Sequence, residues 1–359
     1  MRVLVTGSSG LIGSQAVRHY DALGAEVVGI DNHLRGDLFG AQADTRTNLS
    51  RLQQAVPRFR HVAADIRDRG AIWRVFDEGR FDRVIHCAAQ PSKEKAAQVP
   101  LLDFEVNALG TMHLLEATRQ FSPEAVFIQV STNKVYGDAP NELPLVELKT
   151  RWEYARPEDF HGIAETCRID RSQHTLFGAS KAAADLMAQE YGKYYGLRTG
   201  IFRACCMTGP AHAAVETHGF LAYLAHVARH DETYTVFGYG GKQVRDQIHA
   251  ADVVAAFEAF AANPRPGEVY NLGGGRANSA SVLECIALVE EQTGRPLRWT
   301  YQDANRRGDH VCYISDLRKF QSHYPSWRIT RSLREIIAEL LAVELPQAEL
   351  QSTIARRAA

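Results

Sequence analysis

Several protein classes are excluded by what this sequence has little of. Its six cysteines (Cys87, Cys167, Cys205, Cys206, Cys285 and Cys312) include no CxxC pair. A disulfide framework or a structural zinc site is therefore not expected, and reduced thiols in a cytoplasmic compartment are. No uninterrupted run of about 18 apolar residues occurs, so no membrane span is expected. Met1 leads directly into the strand-like stretch ending at Thr6, without the apolar core and small-residue cleavage site of an export signal. Neither sign of charge dominates. Lys plus Arg number 41 against 42 Asp plus Glu, a net charge of −1, so no global field draws nucleic acid or anionic lipid and any anion site must be local. Internal repeats and low-complexity stretches are also absent. What remains, 359 residues with 45% hydrophobic and 23% charged, describes a compact chain of one large α/β unit or two unequal domains.

The first half alternates short β-branched runs with longer helical patterns: strands at 3–6, 26–30, 61–64, 83–86 and 125–130, helices at 11–23, 68–78 and 101–120. Strands separated by helices of this length must lie parallel, which predicts a doubly wound sheet. Residues 138–174 break the rhythm with prolines, charges and the close pair Trp152 and Tyr154, and read as an inserted loop or lid. A long helix, 177–195, and a strand, 198–203, follow. After Pro210 the alternation loosens into helices near 219–229, 252–261 and 281–292 and strands near 233–237, 244–249 and 268–272, as expected of a smaller, discontinuous α/β lobe. The expected boundaries are 1–203 for a dinucleotide domain, 204–347 mainly for a substrate lobe with segments returning to the first domain, and a frayed tail at 348–359.

The strongest local motif is Gly7-Ser-Ser-Gly10-Leu-Ile-Gly13, between the first strand and the first helix. Glycines there permit a tight turn, and the N–H groups of Gly10, Leu11 and Ile12 at the helix start suit a diphosphate. Alone the motif is weak, since ordinary strand–helix turns also carry glycines. Asp31 ends the second strand 18 residues after Gly13, where a carboxylate accepts from a ribose hydroxyl and repels a 2′-phosphate, with Asn32 beside it. Together they predict a Rossmann-type site for NAD rather than NADP; Arg35 is the one nearby group that would suit NADP. Asp65 and Ile66 follow the third strand where an adenine edge fits, although Asp65 equally suits a helix N-cap region.

The combination of Thr6-Gly-Ser-Ser-Gly-Leu-Ile-Gly13, Asp65-Ile66, His86-Cys-Ala-Ala-Gln-Pro91, Asn107, Ser131-Thr-Asn-Lys-Val-Tyr-Gly137, Ser180-Lys181 and Gly209-Pro210 resembles the extended short-chain dehydrogenase/reductases, nucleotide-sugar epimerase and dehydratase group. The resemblance covers nearly the whole chain, through Gly240-Gly-Lys-Gln-Val-Arg-Asp246 and Arg307-Gly-Asp309. The segments 131–137 and 242–246 are most similar to those of CDP-paratose (CDP-tyvelose) 2-epimerases. The resemblance implies bound NAD, transient oxidation of a sugar carbinol, rebuilding of the stereocentre and return of the hydride. It also implies a nucleotide-diphosphate sugar as substrate, CDP-linked by preference, and a homodimer formed through the helix carrying Lys181 and the helix at 101–120. It places Ala88, Ala89, Asn107 and Lys181 against the cofactor, and Gln90, Thr132, Asn133, Arg245, Arg307 and Asp309 against the substrate.

One position departs from the family pattern. Carbinol oxidation needs a base, which the family supplies as a Tyr four residues before Lys181; here that position is Phe177, which has no proton to exchange. Lys134, Lys181 itself, Cys205, Cys206, His174 and Tyr136 are the candidate replacements, each with an ordinary structural role as its alternative. Thr132 is expected to hydrogen-bond the reacting oxygen. Dehydratases of the family carry Asp-Glu where this chain has Asn133-Lys134, which argues against elimination. Two other readings stay open: a 4-epimerase or dehydratase, and a silent protein that binds NAD and a nucleotide sugar without turnover.

Overall fold

The computed structural model describes residues 1–343, so the expected tail at 348–359 lies outside the described residues. Seven parallel strands form the main sheet in the order Glu268–Leu272, Arg198–Ala204, Val126–Thr132, Arg83–His86, Arg2–Thr6, Glu26–Asp31, Phe59–Ala63. Successive side chains of a strand face opposite layers, and both faces here are apolar: Val3 and Val5 pack in one core, Leu4 in the other. The helices Leu11–Ala22 and Ala250–Ala262 cover the first face; Arg69–Asp77, Gly110–Phe121 and Leu176–Tyr195 cover the second. Strand order reverses between Arg2–Thr6 and Arg83–His86, which opens a crevice at the carboxyl ends of the strands. This is the Rossmann-type fold expected.

A third core joins Phe220–His230, Val282–Thr293 and Leu333–Leu341. Beside it, Val244–His249 pairs with Ser279–Ser281 and Cys312–Tyr313 at its start and with Cys206–Thr208 at its end. The strand Glu268–Leu272 instead returns to the edge of the main sheet, beside Arg198–Ala204.

Two expectations need correction. The single helix at 101–120 is three pieces: Pro100–Phe104, a π-helical turn Glu105–Leu109, and Gly110–Phe121. The turn widens where Asn107 is drawn inward, its amide donating to the Gln90 carbonyl (3.1 Å), Asp103 (3.0 Å) and Ser180 Oγ (3.1 Å), while the Thr111 hydroxyl donates to the Asn107 carbonyl (2.7 Å). The insertion 138–174 is also no lid. It contains a hairpin, Leu145–Glu147 with Trp152–Tyr154, and is strapped down: Ile163 N–H donates to the Ile314 carbonyl (2.8 Å) and Asn271 Nδ2 to the Ile163 carbonyl (2.7 Å). Tyr154 is buried against Val135, Tyr136 and Tyr313, with Trp152 packed on the same cluster, so these aromatics anchor the strap.

Candidate active site

The glycine turn is built for close approach. Gly7 has φ +64°, and a Cβ on it would meet the Ala88 backbone N at 2.8 Å; a Cβ on Gly13 would lie 2.0 Å from the Gly7 carbonyl oxygen. The helix Leu11–Ala22 thus starts directly on the strand end. No side chain caps it at Gly10, whereas Thr175 caps Leu176–Tyr195 by accepting from Gly178 N–H. Gly7, Gly10, Leu11 and Ile12 line a cleft of about 470 Å³, so uncapped first-turn N–H groups meet an open space, and the Ser9 hydroxyl beside them is buried without a partner. Asp31 is held by Ser9 N–H (2.9 Å) and His33 N–H (2.8 Å) at the lip of the same turn. This donor set and single carboxylate fit a dinucleotide: the helix start for its diphosphate, Asp31 for a ribose.

Asn32, Asp65, Ile66, Ala88 and Ala89 also line the cleft. Asp65 accepts from Arg67 (2.7 Å) and Asn32 (2.9 Å); burial would raise its pKa, but these donors hold the carboxyl below its usual range. The N-cap role on the following helix belongs to Asp68. Arg35 lines the same cleft and donates to the Ala213 carbonyl (2.7 Å).

At the reactive end, Thr132 closes its strand and caps a 3₁₀ turn, Asn133–Tyr136, its hydroxyl accepting from Lys134 N–H (3.2 Å). Thr132, Asn133, Lys134, Phe177 and Lys181 all line the cleft. Lys134 Nζ donates to the Gly308 carbonyl (3.0 Å); burial, then the neighbouring Arg245, bring its pKa down to about 7. Lys181 Nζ donates to the Val130 carbonyl (2.7 Å), and burial brings it to about 8. Of the other candidates, Cys205 and Cys206 line the cleft, and burial pushes Cys205 well above the usual thiol range. His174 is engaged with the Val135 and Ser172 carbonyls, and Tyr136 donates to Asn271 (2.7 Å); neither lines the cleft.

Three positions differ from expectation: Gln90 and Arg307, expected against the substrate, and Asn107, expected against the cofactor. Gln90 is fully buried behind the wall, its side chain shared between Ser92 and Asp103, because Asn107 grips its backbone on both sides. Asn107 is consumed in that network and does not line the cleft. Arg307 is exposed and off the cleft; its neighbour Arg306 lines it, stacked over Phe237 at 4.3 Å. The turn that bonds Asp309 N–H to the Arg306 carbonyl sends the two arginines in different directions. Arg245 and Asp309 do line the cleft, yet Asp309 is ion-paired to Lys93 and lies 3.9 Å from Arg245. Against the effect of burial, Lys93, Lys134 and Arg245 hold that carboxyl below its usual range. Lys93, Arg306, His212 and His218 also line the cleft, and none of them stands out in the sequence as a site residue. For Lys93 the available signal was its place just after Gln90-Pro91-Ser92 at a strand end. Among the described residues no cluster of His, Cys, Asp and Glu could hold a metal ion.

The model of the family described as NAD dependent epimerase/dehydratase matches residues 3–273. CDP-paratose 2-epimerase of Salmonella typhi is 31% identical over 326 residues, 89% of this chain and 92% of that protein. dTDP-glucose 4,6-dehydratase 1 of Escherichia coli K12 is 27% identical over 343 residues, 89% of this chain and 86% of the relative. The structure of Thermus thermophilus UDP-glucose 4-epimerase in complex with NAD superimposes with a TM-score of 0.74 at 28% identity, covering 95% of this chain and 98% of that one. A glycine turn, the Asp31 carboxylate and the end of the strand carrying Thr132, all in one cleft, agree with these likenesses: the chain belongs to the NAD dependent epimerase/dehydratase family of enzymes, and its cofactor is NAD.

Proposed function

We propose that this protein is a nucleotide-sugar epimerase that oxidises and re-reduces a sugar carbinol, with a CDP-hexose as substrate and C2 as the inverted centre. The observation that carries the choice of epimerisation is Asn133-Lys134 at the strand end, in the cleft beside Thr132. Elimination of water needs an acid and a base there; an amide and an amine do not supply the pair. The CDP-sugar assignment draws support from the likeness to the Salmonella typhi enzyme. NAD, when bound, supplies a reversible hydride acceptor. The Thr132 hydroxyl holds the reacting oxygen. The Arg245 and Arg306 guanidinium groups meet the substrate diphosphate, for which forked donors are suited. Lys181, fixed by Val130, supplies positive charge on the cofactor side.

Mass spectrometry of the ligands released on heat denaturation, followed by NMR of CDP-hexoses incubated with the protein, tests this reading. Release of NAD with a CDP species and an epimer of unchanged mass are expected. A product lighter by one water favours a dehydratase, and no turnover of any nucleotide sugar rejects the enzyme reading altogether.

A homodimer belongs to the same proposal. Leu101 (79% exposed), Phe104, Leu109, Leu186 and Tyr194 (79%) form an apolar stripe across the segments 100–109 and 176–195 that a second copy would cover. Light scattering should give a dimer for the wild type and a monomer for the Leu186→Glu/Tyr194→Glu variant with its NAD retained. A monomeric wild type contradicts it. A cytoplasmic location accords with six free cysteines and with the absence, among the described residues, of any helix long and apolar enough to cross a membrane.

A further inference from the structure

Phe177 leaves the proposed oxidation without its usual proton acceptor, and the packing around the start of helix Leu176–Tyr195 sets another ionisable group in the same cleft. Gly178, the residue after Phe177, has no side chain between the helix and the 3₁₀ turn: a Cβ there would stand 2.7 Å from the Lys134 carbonyl oxygen. Gly308 is pressed on the cap of the same helix, since a Cβ on it would meet Thr175 Cγ2 at 2.3 Å. The Lys134 side chain begins at the first of these contacts and ends at the second, where Nζ donates to the Gly308 carbonyl (3.0 Å). It therefore runs across the first turn of the helix beside Phe177, and both residues line the cleft together with Thr132, whose hydroxyl accepts from the Lys134 N–H.

We infer that Lys134 Nζ is the acid/base of the reaction, standing in for the hydroxyl that Phe177 lacks; this rests on the epimerase reading. The neutral amine takes the proton of the carbinol hydroxyl held by Thr132, the oxygen electron pair becomes the second bond of a ketone, and the C–H pair leaves as hydride to the oxidised cofactor. On return, hydride adds to the opposite face of the ketone and the ammonium gives the proton back to oxygen, so no net redox change occurs.

The surroundings keep the amine close to neutrality. Facing it are Arg245, Lys93, Asp309, His310, Cys205 and Cys206, with a single carboxylate among cations and neutral groups. The amino end of a 20-residue helix adds an unfavourable positive potential. Phe177 contributes by what it is not: a tyrosinate beside the ammonium would stabilise the charge, whereas an aromatic ring excludes water and leaves it unpaired. Lys181, one helical turn after Phe177, is engaged with the Val130 carbonyl, and Lys93 is ion-paired to Asp309.

Lys134→Met and Lys134→Arg should each lower kcat by at least about a hundredfold, with CDP and NAD binding and the thermal midpoint unchanged. Arginine keeps the charge but has no neutral form near neutral pH to accept a proton, so retained activity in Lys134→Arg overturns the inference. Adding Phe177→Tyr to Lys134→Met should restore most of the rate and move the acidic limb of the kcat/KM profile upward from about pH 7, where the wild-type amine loses its proton. Failure of that rescue, with the double variant folded, also overturns it. Independently of turnover, acetic anhydride at neutral pH should label Lys134 ahead of the exposed lysines by peptide mass spectrometry. Labelling no faster than those lysines overturns it. Wild-type turnover with an unaffected Lys134→Met rejects this inference alone, whereas a wild type inert toward every nucleotide sugar rejects the functional reading as well.

Discussion

Gly13→Ala will lose NAD binding while the rest of the sheet still folds. The added methyl would lie 2.0 Å from the Gly7 carbonyl oxygen and 2.8 Å from Ser8 Cα, both backbone atoms that cannot rotate away. Relief requires the first turn of Leu11–Ala22 to lift off the strand, which moves the uncapped N–H groups of Leu11 and Ile12, two residues that line the cleft. Hydrogen bonds to a charged group are each worth about 1.5–3 kcal/mol. Loss of two weakens NAD binding by roughly 100- to 10,000-fold. Isothermal calorimetry on protein stripped of cofactor measures the change directly, and undiminished affinity would mean that the turn does not hold the diphosphate. Gly24→Ala is the internal control: a Cβ there meets nothing within 4 Å, so NAD affinity stays at the wild-type level despite the positive φ.

The second large effect concerns the ion pair beneath the reactive end. Asp185 and Arg203 are buried, at 0% and 4% exposure, and the carboxylate takes both Arg203 Nε (3.0 Å) and Nη2 (2.8 Å) while accepting from Ser131 Oγ (2.6 Å). Asp185→Ala leaves the guanidinium enclosed without a counter-charge, at a cost of about 3–5 kcal/mol, out of a total of about 5–15 kcal/mol for a folded protein. The thermal midpoint should fall on the order of 10 °C. Activity should fall further than the folded fraction does, because Asp185 bonds the residue before Thr132 and sits one helical turn after Lys181. Asp185→Leu with Arg203→Met should recover much of the lost stability by removing both charges at once. Calorimetric scanning of the three proteins decides this; an Asp185→Ala variant that melts with the wild type would show that the pair contributes little.

Much of this architecture was legible in the chain because it is written in local signals. Short apolar strands with helices between them define a parallel doubly wound sheet, Gly7, Gly10 and Gly13 mark where the first turn must close, and Asp31 follows at the end of the next strand, all within one βαβ unit. The segment Ser131–Gly137 was legible in the same way as a strand end with the turn after it, since Thr132 and Lys134 are separated by one residue on one turn.

Only the tertiary structure decided what depends on contacts between distant segments. Asn107 reads as a helical residue until Gln90 and Ser180 draw it inward and widen the helix. Neither composition nor spacing distinguishes Arg306 from Arg307; one turn of backbone before Asp309 does. Residues 138–174 resemble a lid until their bonds to Ile314 and Asn271 are seen. Lys134 is one of several candidate bases in sequence; the structure adds that its ammonium donates to the Gly308 carbonyl, 174 positions away, beside the start of another helix. By itself the sequence determined the sheet, the glycine turn and the place of Asp31 at the end of the second strand, whose causes are short-range. The proton chemistry was left to the folded chain, because burial and the sign of the surrounding charge arise only once those remote residues are packed together.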